Sequence, residues 1–260
     1  MNTAIWISAL IGCVGGLLSA YIILKGWSSI GNGISHAILP GIVVCYQLMI
    51  PFSIGASIAG MLATGMMVMI KEKTKLKEDV SIAVVYISFY SFAMFILSLS
   101  PTSIDVYNIF LGNVLSINKS DIFQVLIISL CVLLVISMKW RDFLHMFFDE
   151  EHARSTKINI QFLKMLFFTS LITAIAIGFQ TVGILLVVAT VIIPGATSSL
   201  IVKSFGKYLI LSSLIGAASG FIGTYISYFI DCSPGGIVVI TQIFLFLLSI
   251  ILFPKRGKAF

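Results

Sequence analysis

Gly26 to Gly41 reads GWSSIGNGISHAILPG, and the organisation of the whole chain can be worked out from this stretch. It carries four of the 21 glycines, one of the six prolines, and the only one of the three histidines with apolar, membrane-length sequence on both sides. Polar chemistry inside a membrane is therefore expected here. The chain of 260 residues is 59% apolar and 10% charged, with a mean hydropathy of +1.11. An ordinary soluble domain is about 25% charged. A bilayer core takes ~20 apolar residues per helix, and hydrocarbon requires every backbone polar group to be paired internally, so long uniform apolar runs are read as helices. The fold class is all-α: a polytopic integral membrane protein of eight or nine transmembrane helices, forming a single domain over residues 1–260.

The net charge of +6 speaks to topology before it speaks to any nucleic acid, and none is expected as a partner. Basic residues cluster at Lys71 to Lys77, Lys139 to Lys157, Lys203 with Lys207, and Lys255 to Lys258. With all four clusters inside, the opposite side holds Lys119, Asp105, Asp121 and Asp231. Residues 1–24 form the first span, with the N-terminus outside and no removable signal peptide expected. The second span opens with the focal stretch and ends near Ile50, and the third runs from Pro51 to Ile70. The fourth covers Val80 to Leu99, and the fifth Asp121 to Met138. Asp105 to Ile117 is too short and polar to cross.

Lys139 to Asn159 is expected to be a cytoplasmic loop with one short helix. Spans six and seven, Phe162 to Ile177 and Val182 to Pro194, are placed either side of a Gly178 to Gly183 turn. Pro194-Gly195 is then expected to break the seventh span before a short amphipathic piece, Ala196 to Lys207. Span eight runs to Ile230, Asp231 to Gly236 turns outside, and span nine ends at Pro254. Leu39-Pro40-Gly41 and Ile193-Pro194-Gly195 could echo an inverted repeat of discontinuous helices around a central site.

On a helix Asn32 and His36, four residues apart, share a face. An imidazole and an amide carbonyl can both donate electron pairs to a divalent cation. A histidine that only hydrogen-bonds a neighbouring helix fits the same residues. Cys45 falls on the opposite face, and Cys13, Cys45, Cys131 and Cys232 read as small packing residues without metal-type pairing. His145 and His152 read as solvated loop residues, and the three external aspartates as a weak cation-attracting mouth. There is no G-x-x-x-x-G-K-[ST] loop, no nucleophile elbow and no H-E-x-x-H. Residue patterns alone leave transporter, channel and intramembrane enzyme open.

Gly31 to Gly41, GNGISHAILPG, closely resembles the G-D-A-x-S-H-A-x-L-P-G signature of the manganese, zinc and iron permeases of bacterial ATP-binding cassette importers. Thr74 to Asp79 (TKLKED), Ile109 to Leu115 (IFLGNVL), Phe148 to Ala153 (FDEEHA), Gln180 to Thr197 (QTVGILLVVATVIIPGAT) and Ser233 to Gly235 continue the likeness in order. The resemblance implies a non-enzymatic permease subunit in a bacterial cytoplasmic (inner) membrane. It would work with cytoplasmic ATP-binding subunits, an extracytoplasmic metal-binding protein and a second permease subunit, identical or not. No cofactor is held permanently, and the cargo is Mn²⁺, Zn²⁺ or Fe²⁺. His36 and Asn32 are the implied metal contacts. Thr197, Ser198, Ser199, Lys203, Phe205, Gly206 and Lys207 are the implied ATPase dock, with Phe148 to Arg154 as a second contact. This chain departs from the signature in carrying Asn32 for the aspartate and Gly33 for the alanine. A heterodimer whose partner supplies the carboxylate would accommodate that. The rival reading is a self-contained divalent cation channel or ion-coupled carrier.

Overall fold

The computed structural model describes residues 2–48, 50–74, 76–99, 119–148 and 159–253. The helices are α1 (Asn2–Lys25), α2 (Ser28–Ala37), α3 (Leu39–Gln47), α4 (Phe52–Lys73), α5 (Glu78–Leu99), α6 (Lys119–Met138), α7 (Trp140–Phe148), α8 (Ile160–Val182), α9 (Ile184–Ile201), α10 (Phe205–Ile230) and α11 (Pro234–Leu252). Among the described residues there is no strand, and nine helical stretches are long and apolar enough to cross a membrane. The expected all-α polytopic fold is the one observed. The Asp105 to Ile117 and IFLGNVL segments, His152, and Lys255 to Lys258 lie outside the described residues.

The centre of the molecule is α1, which packs most extensively on α10 and α9. Small residues allow this. A Cβ on Gly12 would land on the carbonyl of Gly216, and one on Gly216 would land on that of Gly12, so the two backbones touch. Ser212 Oγ donates to Gly16 O, and Ser213 Oγ donates to Cys13 O at 3.1 Å. The α3–α4 pair repeats the device at Gly41 and Gly55. Around this core α2 packs on α5, α4 on α8, and α11 on α9 and α10. Large apolar side chains such as Phe123, Leu130, Phe244 and Ile251 are exposed on the outer helices α6 and α11, where acyl chains would cover them.

α1 ends in a Schellman turn: Gly26 has φ +74°, Gly26 N donates to Ile23 O at 3.1 Å and Trp27 N to Ile22 O at 2.9 Å. Trp27 is buried by that turn, against Phe147 and Phe168 at 5.5 and 5.6 Å between ring centroids. At the same end Tyr21 is ringed by Phe143, Phe147, Phe167 and Phe205, and its hydroxyl donates to Trp140 O at 3.2 Å. This aromatic cluster fixes α7 beneath α1; it is the short helix expected in the Lys139 to Asn159 loop.

Three boundaries differ from the sequence reading. α8 continues through Gly178 to Val182, because Gly178 lies against Val187 and Thr181 Oγ1 bonds back to Ile177 O at 2.9 Å. The turn between spans six and seven shrinks to Gly183, at φ +88°. α9 runs through Pro194 to Ile201, so there is no separate amphipathic piece from Ala196 to Lys207. A proline inside a helix removes one ladder bond, and here a neighbouring helix repairs the gap. Ser19 Oγ of α1 accepts from Gly195 N at 2.9 Å and donates to Ile192 O at 3.0 Å. The two Pro-Gly pairs are therefore unlike. Pro40 starts α3 after a break at Ile38, whereas Pro194 lies within one helix.

Two stability outcomes follow from these contacts. Gly12→Leu pushes a branched side chain into the Gly216 carbonyl, and an overpacking loss of at least ~1–3 kcal/mol is expected as a lowered melting temperature in detergent. Ser19→Ala leaves the Gly195 N–H without its acceptor in hydrocarbon, and an unmet buried donor costs about 1–3 kcal/mol. Thermal unfolding of the purified protein measures both; Ser19→Ala at the wild-type temperature would mean that α9 closes the gap unaided.

Candidate functional site

The site is set by α2, which the Schellman turn aims into the membrane interior and the break at Ile38 ends at mid-depth. Its buried side is built for close packing. Gly31 lies against Val191, Gly33 against Ile82, Ile34 is fully buried, and Ser35 Oγ bonds back to Gly31 O at 2.8 Å. Any side chain at Gly33 would strike Ile82 of α5, so α2 and α5 approach closely along this edge.

The other side of α2 holds the half-buried pair Asn32 and His36, one turn apart as their spacing required. The His36 ring lies 6.0 Å from the ring of Tyr86 and 5.9 Å from that of Tyr90, both on α5. Its Nδ1 is buried and has no hydrogen-bond partner. A neutral imidazole nitrogen without a donor is an electron pair available to a cation. Beneath His36 a cleft of about 470 Å³ is lined by Asn32, Ser28 and Ser29 of α2, Asp79 and Tyr86 of α5, and Ile192 of α9, among others. Among the described residues no three of His, Cys, Asp and Glu come together. The site is thus a lone imidazole and amide with hydroxyls nearby, suited to passing an ion and not to holding one.

A larger opening of about 1030 Å³ lies between α4, α5 and α8, with Met61, Met165 and Phe168 in its wall and Lys71, Glu72 and Lys164 among its polar residues. His36 and Asn32 do not line it. Cys45 is buried against Gly55 and stands apart from His36, as its register predicted. Of the external aspartates, Asp121 accepts from Gln180 Nε2 at 3.0 Å, tying α6 to α8, and Asp231 caps α10 in the left-handed conformation. Asp105 lies outside the described residues.

The residues proposed for ATPase docking divide. Thr197 and Ser198 are buried in α9, with hydroxyls bonded to Ile193 O at 2.8 Å and Gly195 O at 3.2 Å. Ser199 is half-buried, its hydroxyl on Ala196 O at 2.8 Å. Phe205 is buried against Tyr21 at 5.3 Å, and Gly206 is half-buried. Lys203, Ser204 and Lys207 are exposed at the α9–α10 turn. Phe148 is exposed at the end of α7, and the rest of the second contact lies outside the described residues.

Sequence reasoning missed Tyr86, Tyr90 and Asp79 as neighbours of the site. The signal was present: 79, 83, 86 and 90 fall on one helical face. Nothing in α5 alone says that this face looks at α2.

The family model described as the ABC 3 transport family matches residues 1–253. The chelated iron transport system membrane protein YfeC of Yersinia pestis is 41% identical over 257 residues, covering 99% of this chain and 87% of that protein. The manganese transport system membrane protein MntB of a Synechocystis species is 39% identical over 254 residues, covering 98% of this chain and 83% of that protein. Among solved structures, PsaBC from Streptococcus pneumoniae in complex with Fab superimposes with a TM-score of 0.89 at 31% identity, covering 99% of this chain and 93% of that one. With its nine apolar spans and a match along nearly its whole length, the chain belongs to the ABC 3 transport family.

Proposed function

We propose that this chain is the membrane permease subunit of an ATP-driven importer of manganese or iron, in the bacterial cytoplasmic membrane. The observation that carries the reading is the imidazole of His36, half-buried at mid-depth with Nδ1 unpartnered, in a chain whose relatives are named as manganese and iron transport proteins. Zn²⁺ shares the ligand chemistry but not the relatives' names. An extracytoplasmic binding protein delivers the ion, which passes the His36–Asn32 level between this subunit and a second permease. ATP hydrolysis in separate cytoplasmic subunits drives alternating access. Lys203, Ser204 and Lys207, exposed at the α9–α10 turn, are the surface offered to the ATPase, with exposed Phe148 at the end of α7 as a second contact. A self-contained channel or carrier would ordinarily use membrane carboxylates of its own for coupling. At the His36–Asn32 level the described site supplies an amide and an imidazole instead.

Asn32 supplies a dipole where the resembled signature has a charge, and a carboxylate suits hard Mn²⁺ better than an amide does. We place the missing carboxylate on a non-identical second permease. Purification of an active transporter containing only this permease would remove that part of the proposal.

The test is accumulation of Mn, Fe and Zn in metal-starved cells expressing the chain with its neighbouring ATPase and binding protein. His36→Ala is expected to abolish uptake of one metal at unchanged protein level, and a hydrolysis-dead ATPase to abolish it in the wild type. Uptake that survives without the ATPase would establish the channel reading instead. Asn32→Asp is expected to lower both the half-saturating metal concentration and the maximal rate, since a charge that holds the ion more tightly also slows its release. Initial-rate uptake curves separate the two effects.

A further inference from the structure

The cleft beneath His36 has two facing polar stripes. On α2, Ser29, Asn32 and His36 follow one another at helical spacing, with Ser28 beside Ser29 at the cytoplasmic end. On α5, Asp79, Ala83, Tyr86 and Tyr90 do the same. Ser28, Asn32, Asp79 and Tyr86 line one space; His36 stands one turn beyond Asn32, its ring 6.0 Å from that of Tyr86, and does not itself line that space. At 1.5 Å per residue, Asn32 lies about 6 Å and Ser28 about 12 Å from His36 along the α2 axis. The axis points to the cytoplasm, because α2 follows Lys25 and α5 follows the Lys71 to Lys77 run. Small Ala83 leaves the middle of the cleft open.

Two carboxylates occupy the first turn of α5, and the structure gives them different work. Glu78 is paired with Lys71 at 2.9 Å. Among the described residues Asp79 has no ion pair, is exposed, and lines the cleft. Among the described residues it is the only acidic one lining that cleft. A cation leaving the uncharged His36–Asn32 level towards water meets hydroxyl oxygens and then this single negative charge, all hard ligands of the kind that divalent manganese and iron accept.

We propose that Asp79 is the exit carboxylate of the transport path: a divalent cation released from the His36–Asn32 level descends past Asn32 and the Ser28–Ser29 hydroxyls and is received by Asp79 before it enters the cytoplasm. This rests on the importer reading above. The carboxylate draws the ion off the deeper site and, being exposed and singular, lets it go to water. It also explains how a site without a charge of its own at residue 32 can have a directed way out.

The experiment measures initial uptake of Mn²⁺ and Fe²⁺ per permease molecule in the complete transporter. The variants are Asp79→Asn, Asp79→Glu, Ala83→Phe and the control Glu72→Gln. Glu72 is exposed and lines the separate cleft between α4 and α8. Asp79→Asn is expected to lower the maximal rate about tenfold with little change in the half-saturating metal concentration, since loading from outside precedes exit. Asp79→Glu is expected to restore most of the rate, and Ala83→Phe, which leaves every charge in place, to block transport by filling the cleft. Glu72→Gln is expected to transport like the wild type. A wild-type rate in Asp79→Asn or in Ala83→Phe overturns the proposal. If the asparagine variant fails to accumulate in the membrane, Ala83→Phe decides the matter alone. Transport by the wild type and its loss in His36→Ala, with Asp79→Asn unaffected, would discard the exit carboxylate and leave the importer reading standing. No transport by the wild type would discard the importer reading itself.

Discussion

The contact between the backbones of α1 and α10 at Gly12 and Gly216 is the constraint on which the rest of the architecture depends. In hydrocarbon the hydrophobic effect does not press helices together, so affinity comes from close packing and from the few hydrogen bonds that close packing permits. Backbone contact brings Ser212 and Ser213 within reach of the Gly16 and Cys13 carbonyls. α10 is fixed against α1 in this way, and α9, which packs on both, is tied to α1 by Ser19, whose hydroxyl bonds Gly195 N and Ile192 O beside Pro194. The three helices form a rigid post. α2 is joined to these helices by the Schellman turn that buries Trp27, and again where Gly31 lies against Val191 of α9.

The chemistry of the site follows from what that geometry leaves uncharged. Burying an unpaired carboxylate at mid-depth is costly, and none of the described acidic residues sits at the His36 level. The imidazole is neutral when it binds a metal and imposes no such cost on the empty protein. Of the described acidic residues, Asp79 is exposed and lines the cleft, whereas Asp121 stands away from it and is held by Gln180. A transport site gains from this distribution. An ion held by weak neutral ligands at the centre can be moved by a modest change in the surrounding walls, whereas one held by buried carboxylates would need them replaced.

Much of this was legible in the chain. Composition and run length gave the all-α membrane class, and the basic clusters give an expected orientation for the spans. The pairing of Asn32 with His36 on one face followed from a spacing of four, and the exclusion of Cys45 from a spacing of nine. What could not be read was tertiary. Pro194-Gly195 looked like a helix end because the sequence near it offers no partner for the disturbed ladder; the acceptor of Gly195 N–H, Ser19, is 176 residues away. The Gly178 to Gly183 segment looked like a turn because glycine disfavours a helix in isolation, yet Gly178 is small because Val187 lies against it. Thr197 and Ser198 looked like part of a surface helix, and the continuity of α9 buries them. That Tyr86 and Tyr90 stand by His36 is legible only once α5 is placed beside α2.

The same placements determine which parts of the molecule can move. Ring contacts run without a gap from Phe205, next to the exposed turn at Lys203 to Lys207, through Tyr21 and Phe147 to Trp27, the residue before α2. Each step is a buried aromatic pair 5.3 to 5.6 Å apart. A close-packed cluster of this kind transmits displacement because it has no room to absorb it. Contact alone is not coupling, which also requires an element with two arrangements. The post of α1, α9 and α10 is not that element, since its backbones are in contact or hydrogen-bonded throughout. At the joint between α2 and α3, Ile38 keeps right-handed helical geometry, with Ile38 N on Ile34 O at 3.1 Å and Ile42 N on Ile38 O at 3.2 Å. The two halves of this span nevertheless rest on different neighbours: α2 packs chiefly on α5, whereas α3 packs chiefly on α4, where Gly41 and Gly55 bring the backbones together. His36, one residue before the end of α2, therefore belongs to the half that faces α5.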